Sequence, residues 1–310
     1  MRTRVGPGWG YCEQSVDARF SQLPRALAER TVFALASPTG SPAADGIPLL
    51  LAHPELGWNL PEGPQPSPRP VVLWLHGRTV SKELDPGRYL RWLRAEGGDG
   101  GGLAVCAIDL PGHGERLWRE AQGSDRTLEV VEQAVGEVDS VLRFLAETRW
   151  NGAFDVTRMA IGGMSAGGMV ALTRLCAPHR FLCASVESTA GNFDQMRTHT
   201  AFYTRGGRDP NGELARRLNP AARLDHWRPI PLLALHSEMD QMVPVESIRS
   251  FTTALKARYE REGADPSLVE LATWPETGAP AEHAGFGRVT NEAKNLQTAF
   301  FVRRLMGGGE

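Results

Sequence analysis

The chain has 310 residues, 41% of them hydrophobic and 23% charged, with a formal net charge of -2. That length and composition suit one soluble enzyme domain with a sizeable core, and so small a charge gives no electrostatic reason to expect nucleic acid or an anionic membrane as a partner. The basic start Met1-Arg2-Thr3-Arg4 runs into Gly6-Pro7-Gly8 instead of an apolar block, and no later run approaches a membrane span, so a cytoplasmic protein is expected. Cys12, Cys106, Cys176 and Cys183 are widely separated and lack metal-ligand spacing. They read as buried free thiols, with no metal site implied.

In chain order, 16–29 is patterned as an amphipathic helix interrupted at Pro24. Segments 31–36 and 47–52, separated by Pro38, Gly40, Pro42 and Gly46, predict an antiparallel pair at one sheet edge. The proline-rich stretch 59–70 is an extended surface connection. From Val71 onward, apolar strand-like runs at 71–75, 103–108, 159–162, 183–186, 232–236 and 268–273 alternate with helical patterns at 85–95, 127–147, 166–176, 245–262 and 288–306. This alternation predicts an α/β fold, a mostly parallel central sheet with helices on both faces. No internal repeat is visible, and 1–310 reads as a single domain.

The connection 191–229 is longer than such folds ordinarily use and predicts a small helical cap inserted into that domain. Its Phe193, Phe202, Tyr203 and Trp227, with Trp118 from an earlier loop, are candidates for lining a substrate pocket, although aromatic residues also serve simply to pack a cap onto its domain.

The pentapeptide Gly163-Met164-Ser165-Ala166-Gly167 lies between an apolar strand and a helix. A G-x-S-x-G sequence there predicts a nucleophile elbow, a tight turn that projects the serine hydroxyl and leaves no room for a flanking Cβ. A serine needs an imidazole to accept its proton. His283, in the loop between the last strand and the last helix, is the candidate base, whereas His236 at a strand end reads as a buried structural residue. Asp240 is the candidate acid that fixes the imidazole, with Glu238 as its rival. For an oxyanion, the N–H groups of Ala166 and Arg78 are the expected donors, with Thr79 as the second choice for the latter. The Arg78 side chain either meets an acidic substrate group or is taken up by solvent or a salt bridge.

Taken together, His76-Gly77, Asp109-Leu110-Pro111-Gly112-His113-Gly114, the serine pentapeptide, Asp240 with Val243-Pro244, and His283 make the chain resemble the α/β-hydrolase superfamily over 31–306. In style it is similar to the dienelactone-hydrolase and prolyl-oligopeptidase-like branch of serine esterases. The resemblance implies an α/β-hydrolase fold, a triad of Ser165, Asp240 and His283, and a structural role for Asp109 and His113 in a loop beside the site. Dienelactone hydrolases usually carry a cysteine nucleophile where this chain has Ser165, and oligopeptidases carry a large propeller that the stretch before Val71 is too short to form. The arginines Arg197, Arg205, Arg208, Arg216 and Arg217 make a lipase-like apolar lid a weak expectation. The expected function is hydrolysis of a small or medium carboxylic ester through an acyl-enzyme, without a cofactor. An amidase, a small peptidase or an acyltransferase using the same residues is the alternative, and a non-catalytic binding protein on the same fold is the remote one.

Overall fold

The strands are β1 (Thr31–Ala36), β2 (Ile47–Ala52), β3 (Arg69–Leu75), β4 (Ala104–Ile108), β5 (Phe154–Met164), β6 (Cys183–Glu187), β7 (Leu232–Ser237) and β8 (Val269–Trp274). The helices are α1 (Arg25–Ala28), α2 (Pro86–Leu93), α3 (Thr127–Leu145), α4 (Ala166–Leu175), α5 (Glu213–Leu218), α6 (Val245–Arg261) and α7 (Thr290–Leu305). The structure is a computed structural model and describes residues 23–38, 46–60, 62–97, 101–196 and 212–307.

The strands form one sheet in the order β1-β2-β4-β3-β5-β6-β7-β8. β1 pairs antiparallel with β2, and β2 antiparallel with β4. Every later neighbour is parallel. The predicted antiparallel pair therefore lies at the edge, with the parallel sheet beyond it.

The central strands read as unbroken apolar runs because both sheet faces are covered. In β3, Val71, Leu73 and Leu75 enter one core with Val131 and Val138 of α3, Val170 of α4 and Phe251 of α6. Val72 and Trp74 enter the other, with Trp92 of α2 and Phe301 of α7. The side-chain period of two thus assigns alternate residues of one strand to opposite layers.

Of the helical stretch expected over 16–29, α1 follows Pro24 directly, and 16–22 lie outside the described residues. β5 starts at Phe154, earlier than the predicted 159, because its first residues pair with Arg69 and Pro70 before the register shifts between Pro70 and Val71. At that shift Asp155 accepts from Thr157 N–H at 3.0 Å and from Arg158 Nε at 2.7 Å, a local cap that the apolar pattern does not reveal. Cys106, Cys176 and Cys183 are free and buried, and burial pushes the Cys176 thiol up to about 12.

Segment 191–229 is helical where it is described and is fastened at several points. Asn192 N–H donates to Ser247 O in α6 at 3.0 Å, Thr173 Oγ1 in α4 donates to Leu218 O at 3.0 Å, and Arg217 pairs with Glu132 of α3. Among the described residues, no helix is long and apolar enough to cross a membrane.

A buried charge network ties α2, β6 and α7 together. The Arg88 guanidinium lies 4.4 Å from the Trp74 ring and forks onto Glu187, with Nη2 2.8 Å from Oε2. Gln297 of α7 donates to Glu187 Oε1 at 3.1 Å and to Ser185 Oγ at 3.0 Å. Asp85 caps α2, accepts from Arg88 Nε at 3.0 Å and receives Lys294 at 2.7 Å. Glu187→Leu leaves the buried Arg88 charge only Asp85, which it shares with Lys294, and is expected to cost about 3 kcal/mol of stability. Urea unfolding at unchanged m-value measures it, and a midpoint like that of the wild type would show the pair to be dispensable.

Candidate active site

Ser165 is the residue between β5 and α4, and its backbone has φ 52° and ψ -118°, a region that L-residues rarely adopt. The neighbouring glycines allow it. A Cβ on Gly167 would fall 2.1 Å from Leu75 O, and one on Gly163 would fall 2.5 Å from the Gly167 carbonyl carbon. Ser165 N–H donates to Glu187 O at 2.8 Å, and Thr189 Oγ1 donates to Ser165 O at 2.6 Å, so β6 and the loop after it clamp the turn from the side.

His283 Nε2 lies 2.9 Å from Ser165 Oγ, and its Nδ1 lies 2.8 Å from Asp240 Oδ2 and 3.1 Å from Oδ1. With Nδ1–H donated to the carboxylate, the Nε2 lone pair is the acceptor for the serine hydroxyl. Asp240 Oδ1 also accepts from the N–H groups of Met242 and Val243, both at 2.8 Å. His236 Nε2 sits 3.3 Å from Asp240 Oδ2 and 2.9 Å from Val243 O. Burial alone would raise the Asp240 pKa, but hydrogen bonds from His236 and His283 outweigh it and hold the carboxyl below its ordinary value. The histidine read as merely buried therefore orients the acid. The rival Glu238 accepts from Thr273 Oγ1 at 2.8 Å and lies near Arg249, with no bond to His283.

Gly77 carries the loop after β3 past the serine: its Cβ, if present, would lie 3.5 Å from Ser165 Cβ. Ala166 is the first residue of α4, where an N–H has no intrahelical acceptor. Of the expected oxyanion donors, Ala166 follows the serine directly in the chain, and Arg78 follows Gly77 in the loop that passes it. The Arg78 side chain follows neither sequence reading. Its guanidinium donates to Thr127 Oγ1 at 2.7 Å, to Gly123 O at 2.9 Å and to Ala121 O, fastening the loop before α3.

The pocket aromatics divide. Trp227 is 1% exposed, donates its indole N–H to Tyr259 Oη at 2.9 Å and packs edge-on against Phe251, so it belongs to the core and not to an open pocket. Phe193 is likewise 1% exposed within that core. Their apolar area is used to seat 191–229, a use that composition alone does not separate from ligand binding. Trp118 is 45% exposed on the loop after β4. Phe202 and Tyr203 lie outside the described residues, as do Arg197, Arg205 and Arg208.

Glu282, next to His283, has no counterpart in the sequence reading. Its carboxylate accepts from Thr277 N–H at 2.7 Å, Thr277 Oγ1 at 2.6 Å, Ser237 Oγ at 2.7 Å and Gly278 N–H at 2.6 Å. These bonds, the Thr277 hydroxyl foremost, pull it down to about 2. They hold Ala281 and Glu282 at positive φ, 52° each, immediately before the imidazole. Gln241 N–H donates to Ala281 O at 3.1 Å and so joins the acid loop to the histidine loop. An acidic residue preceding the base was the only available signal.

Residues 101–307 match the Prolyl oligopeptidase family. Among solved structures, the chain is similar to a Mycobacterium tuberculosis puromycin-hydrolyzing peptidase at 19% identity and TM-score 0.65, over 92% of this chain and 41% of that one. It is also similar to Thermogutta terrifontis esterase 2, phosphoramylated by tabun, at 16% identity and TM-score 0.59, over 88% and 94% of the respective chains. TT1662 from Thermus thermophilus matches at 22% identity and TM-score 0.58, over 89% and 98%. The chain spans less than half the length of the peptidase and nearly all of the other two. At these identities the likeness is one of fold. No curated protein matches by sequence.

The Glu282 carboxylate is depressed in the folded state, so its contribution to stability is complete above the ordinary carboxylate value of about 4.3 and is lost as pH falls through that value toward its folded one. Glu282→Gln is expected to lower the melting temperature at pH 7, with the difference from wild type shrinking on acidification below about pH 4. It should also slow fluorophosphonate labelling of Ser165 by roughly ten- to a hundredfold, because the imidazole is displaced. Unchanged labelling and melting would remove the positioning role.

Proposed function

Because the chain belongs to the prolyl oligopeptidase family and is a serine hydrolase of the α/β-hydrolase superfamily, we propose that it cleaves small or medium carboxylic esters through an acyl-enzyme on Ser165. The observation that carries this reading is the continuous hydrogen-bond chain from Ser165 Oγ through His283 to Asp240. His283 Nε2 takes the hydroxyl proton as Oγ attacks the acyl carbon, and Asp240 stabilises the imidazolium that forms. The N–H groups of Ala166 and Arg78 hold the developing oxyanion. The imidazolium then protonates the departing alcohol, and water repeats the cycle on the acyl-enzyme. The described residues act as one hydrolase unit, with 191–196 and 212–229 as the described parts of its cap.

Two features favour a neutral substrate over one presenting a free ammonium group. Among the described residues, the carboxylates in and beneath the site are committed internally: Asp240 to His283, Glu282 to Thr277 and Ser237, Glu187 to Arg88, and Asp109 to Lys82. Leu117, Trp118, Met239 and Met242, on the loops after β4 and β7, are exposed and offer apolar contact. A peptidase is the second reading. It is favoured by the family and by the puromycin-hydrolyzing peptidase among the similar structures.

Ser165→Ala is expected to lower kcat on p-nitrophenyl butanoate by roughly 10⁴- to 10⁶-fold while the protein remains folded. A fluorophosphonate probe should modify Ser165 in the wild type, as located by peptide mass spectrometry, and should fail to label the variant. Esters should exceed the matching p-nitroanilides in kcat/KM by more than intrinsic reactivity explains. Undiminished turnover in Ser165→Ala would overturn the nucleophile, and preferred turnover of the anilides would favour the peptidase.

A further inference from the structure

The loop after β4 contains Pro111-Gly112-His113-Gly114, and its histidine is not accounted for by the hydrolytic machinery. His113 is 0% exposed to bulk solvent, yet it lines a small cavity of about 30 Å³ together with Thr79, Val80, Gly114, Leu117 and Gln122. Its Nδ1 lies 2.8 Å from Pro111 O, which fixes Nδ1 as the protonated nitrogen and leaves Nε2 as an acceptor. Among the described residues nothing pairs with that buried Nε2. An unpaired polar atom in an enclosed position is costly, so a hydrogen-bond donor is expected to reach it.

The surroundings restrict what that donor is. Burial, with smaller contributions from His76 and then Arg78, outweighs the Pro111 hydrogen bond and keeps the imidazole neutral at pH 7 by lowering its pKa to about 4. A carboxylate has no proton to give, and an ammonium group is repelled by the Arg78 guanidinium. Val80 and Leu117 contribute apolar wall, and one N–H of the Gln122 amide is donated to Gly112 O at 2.6 Å. The space admits roughly a hydroxyl and the carbon bearing it, about the volume of one or two water molecules.

The cavity and the reacting centre share the loop after β3: Gly77 passes the serine and Thr79 lines the cavity. Thr79 is the second-choice oxyanion donor, two residues beyond Gly77, and two residues span at most about 7 Å. Behind His113 stands His76, with ring centroids 5.5 Å apart, and His76 Nδ1 is 2.5 Å from Gly77 O. His76 Nε2 accepts from Leu110 N–H at 3.0 Å, so the two imidazoles, the loop after β3 and the loop after β4 are mechanically joined.

We infer that this cavity is a substrate subsite in which His113 Nε2 accepts a hydrogen bond from a neutral hydroxyl on the ester being cleaved. The inference rests on the ester-hydrolase reading. It makes the protein selective for hydroxylated over plain aliphatic esters, because a hydroxyl satisfies the buried nitrogen and a methylene does not.

The test compares kcat/KM for p-nitrophenyl butanoate with its 2-hydroxy and 3-hydroxy derivatives, and for ethyl butanoate with 2-hydroxyethyl butanoate. His113→Asn keeps a donor for Pro111 O and removes the Nε2 position, while His113→Gln returns an acceptor near it. Leu117→Trp fills the cavity from an exposed position and serves if the histidine variants do not fold. At least one hydroxylated ester should lose about tenfold more kcat/KM than its plain partner in His113→Asn and in Leu117→Trp, with His113→Gln restoring most of the difference. Equal losses for both members of every pair would mark a purely structural histidine and overturn the subsite. If folded wild type cleaves none of these esters and fluorophosphonate leaves Ser165 unmodified, the hydrolase reading itself fails and the subsite falls with it. Ready labelling with no hydroxyl preference defeats the subsite alone.

Discussion

The contact between the serine turn and the end of β3 is the constraint on which the site depends. Gly167 rests against the carbonyls of Leu75 and His76 with no space for a side chain, and Gly163 rests against Gly167 and Leu75 O. The strand that launches the proposed oxyanion loop and the helix that begins beside the proposed nucleophile are therefore packed backbone to backbone. An added methyl at either glycine would separate them, and with them the donors from the reacting hydroxyl. The same packing leaves Ser165 in a conformation it would not adopt alone, held by bonds to Glu187 O and from Thr189. Glu187 in turn is held from below by Arg88 and Gln297, so the buried charge network supports the turn through the strand it braces.

Strain elsewhere follows the same pattern. Among the described residues, positive φ at a non-glycine position occurs at Thr79, Asn151, Ser165, Ser188, Ala281 and Glu282. All but Asn151 lie in the turns or loops at the carboxyl ends of β3, β5, β6 and β8, where open α/β sheets place their ligands. Each such residue costs on the order of 1–3 kcal/mol and persists only where its surroundings over-determine it. Around His283 the over-determination is visible. Glu282 gathers four donors from Thr277, Gly278 and Ser237, and Ala281 O is tied to the acid loop through Gln241 N–H.

The sequence disclosed those parts of the molecule whose signal is local. Strands buried on both faces are apolar runs, so β3, β4, β6 and β7 are readable, and glycine spacing exposes the serine turn because sterics demand glycine there. Chain order along an α/β pattern marks Ser165, Asp240 and His283 from sequence alone. What was hidden depends on neighbours distant in sequence. The contact of His236 with Asp240 and the grip of Glu282 on Thr277 require the loops after β7 and β8 to be adjacent. The early start of β5 depends on pairing with Arg69 and Pro70. Trp227 and Phe193 were ambiguous for a related reason: an aromatic that seats a segment and one that meets a ligand have the same composition, and only burial against Tyr259 and Phe251 separates them.

A serine, a histidine and an aspartate joined in this way are compatible with cleavage of either an ester or an amide, since the same imidazolium can protonate an alcohol or an amine as it leaves. The fold is equally permissive: a puromycin-hydrolyzing peptidase and an esterase both superimpose on most of this chain. Discrimination must then come from what surrounds the reacting centre. Here the nearby carboxylates are bound to partners of their own, Arg78 is spent on the carbonyls of Ala121 and Gly123, and the loops after β4 and β7 turn Leu117, Trp118, Met239 and Met242 outward. A substrate gains little from carrying charge into such a place. On the proposed reading, apolar surface provides the affinity and the isolated acceptor His113 Nε2 the selectivity, because leaving it unpaired penalises a ligand with nothing to donate.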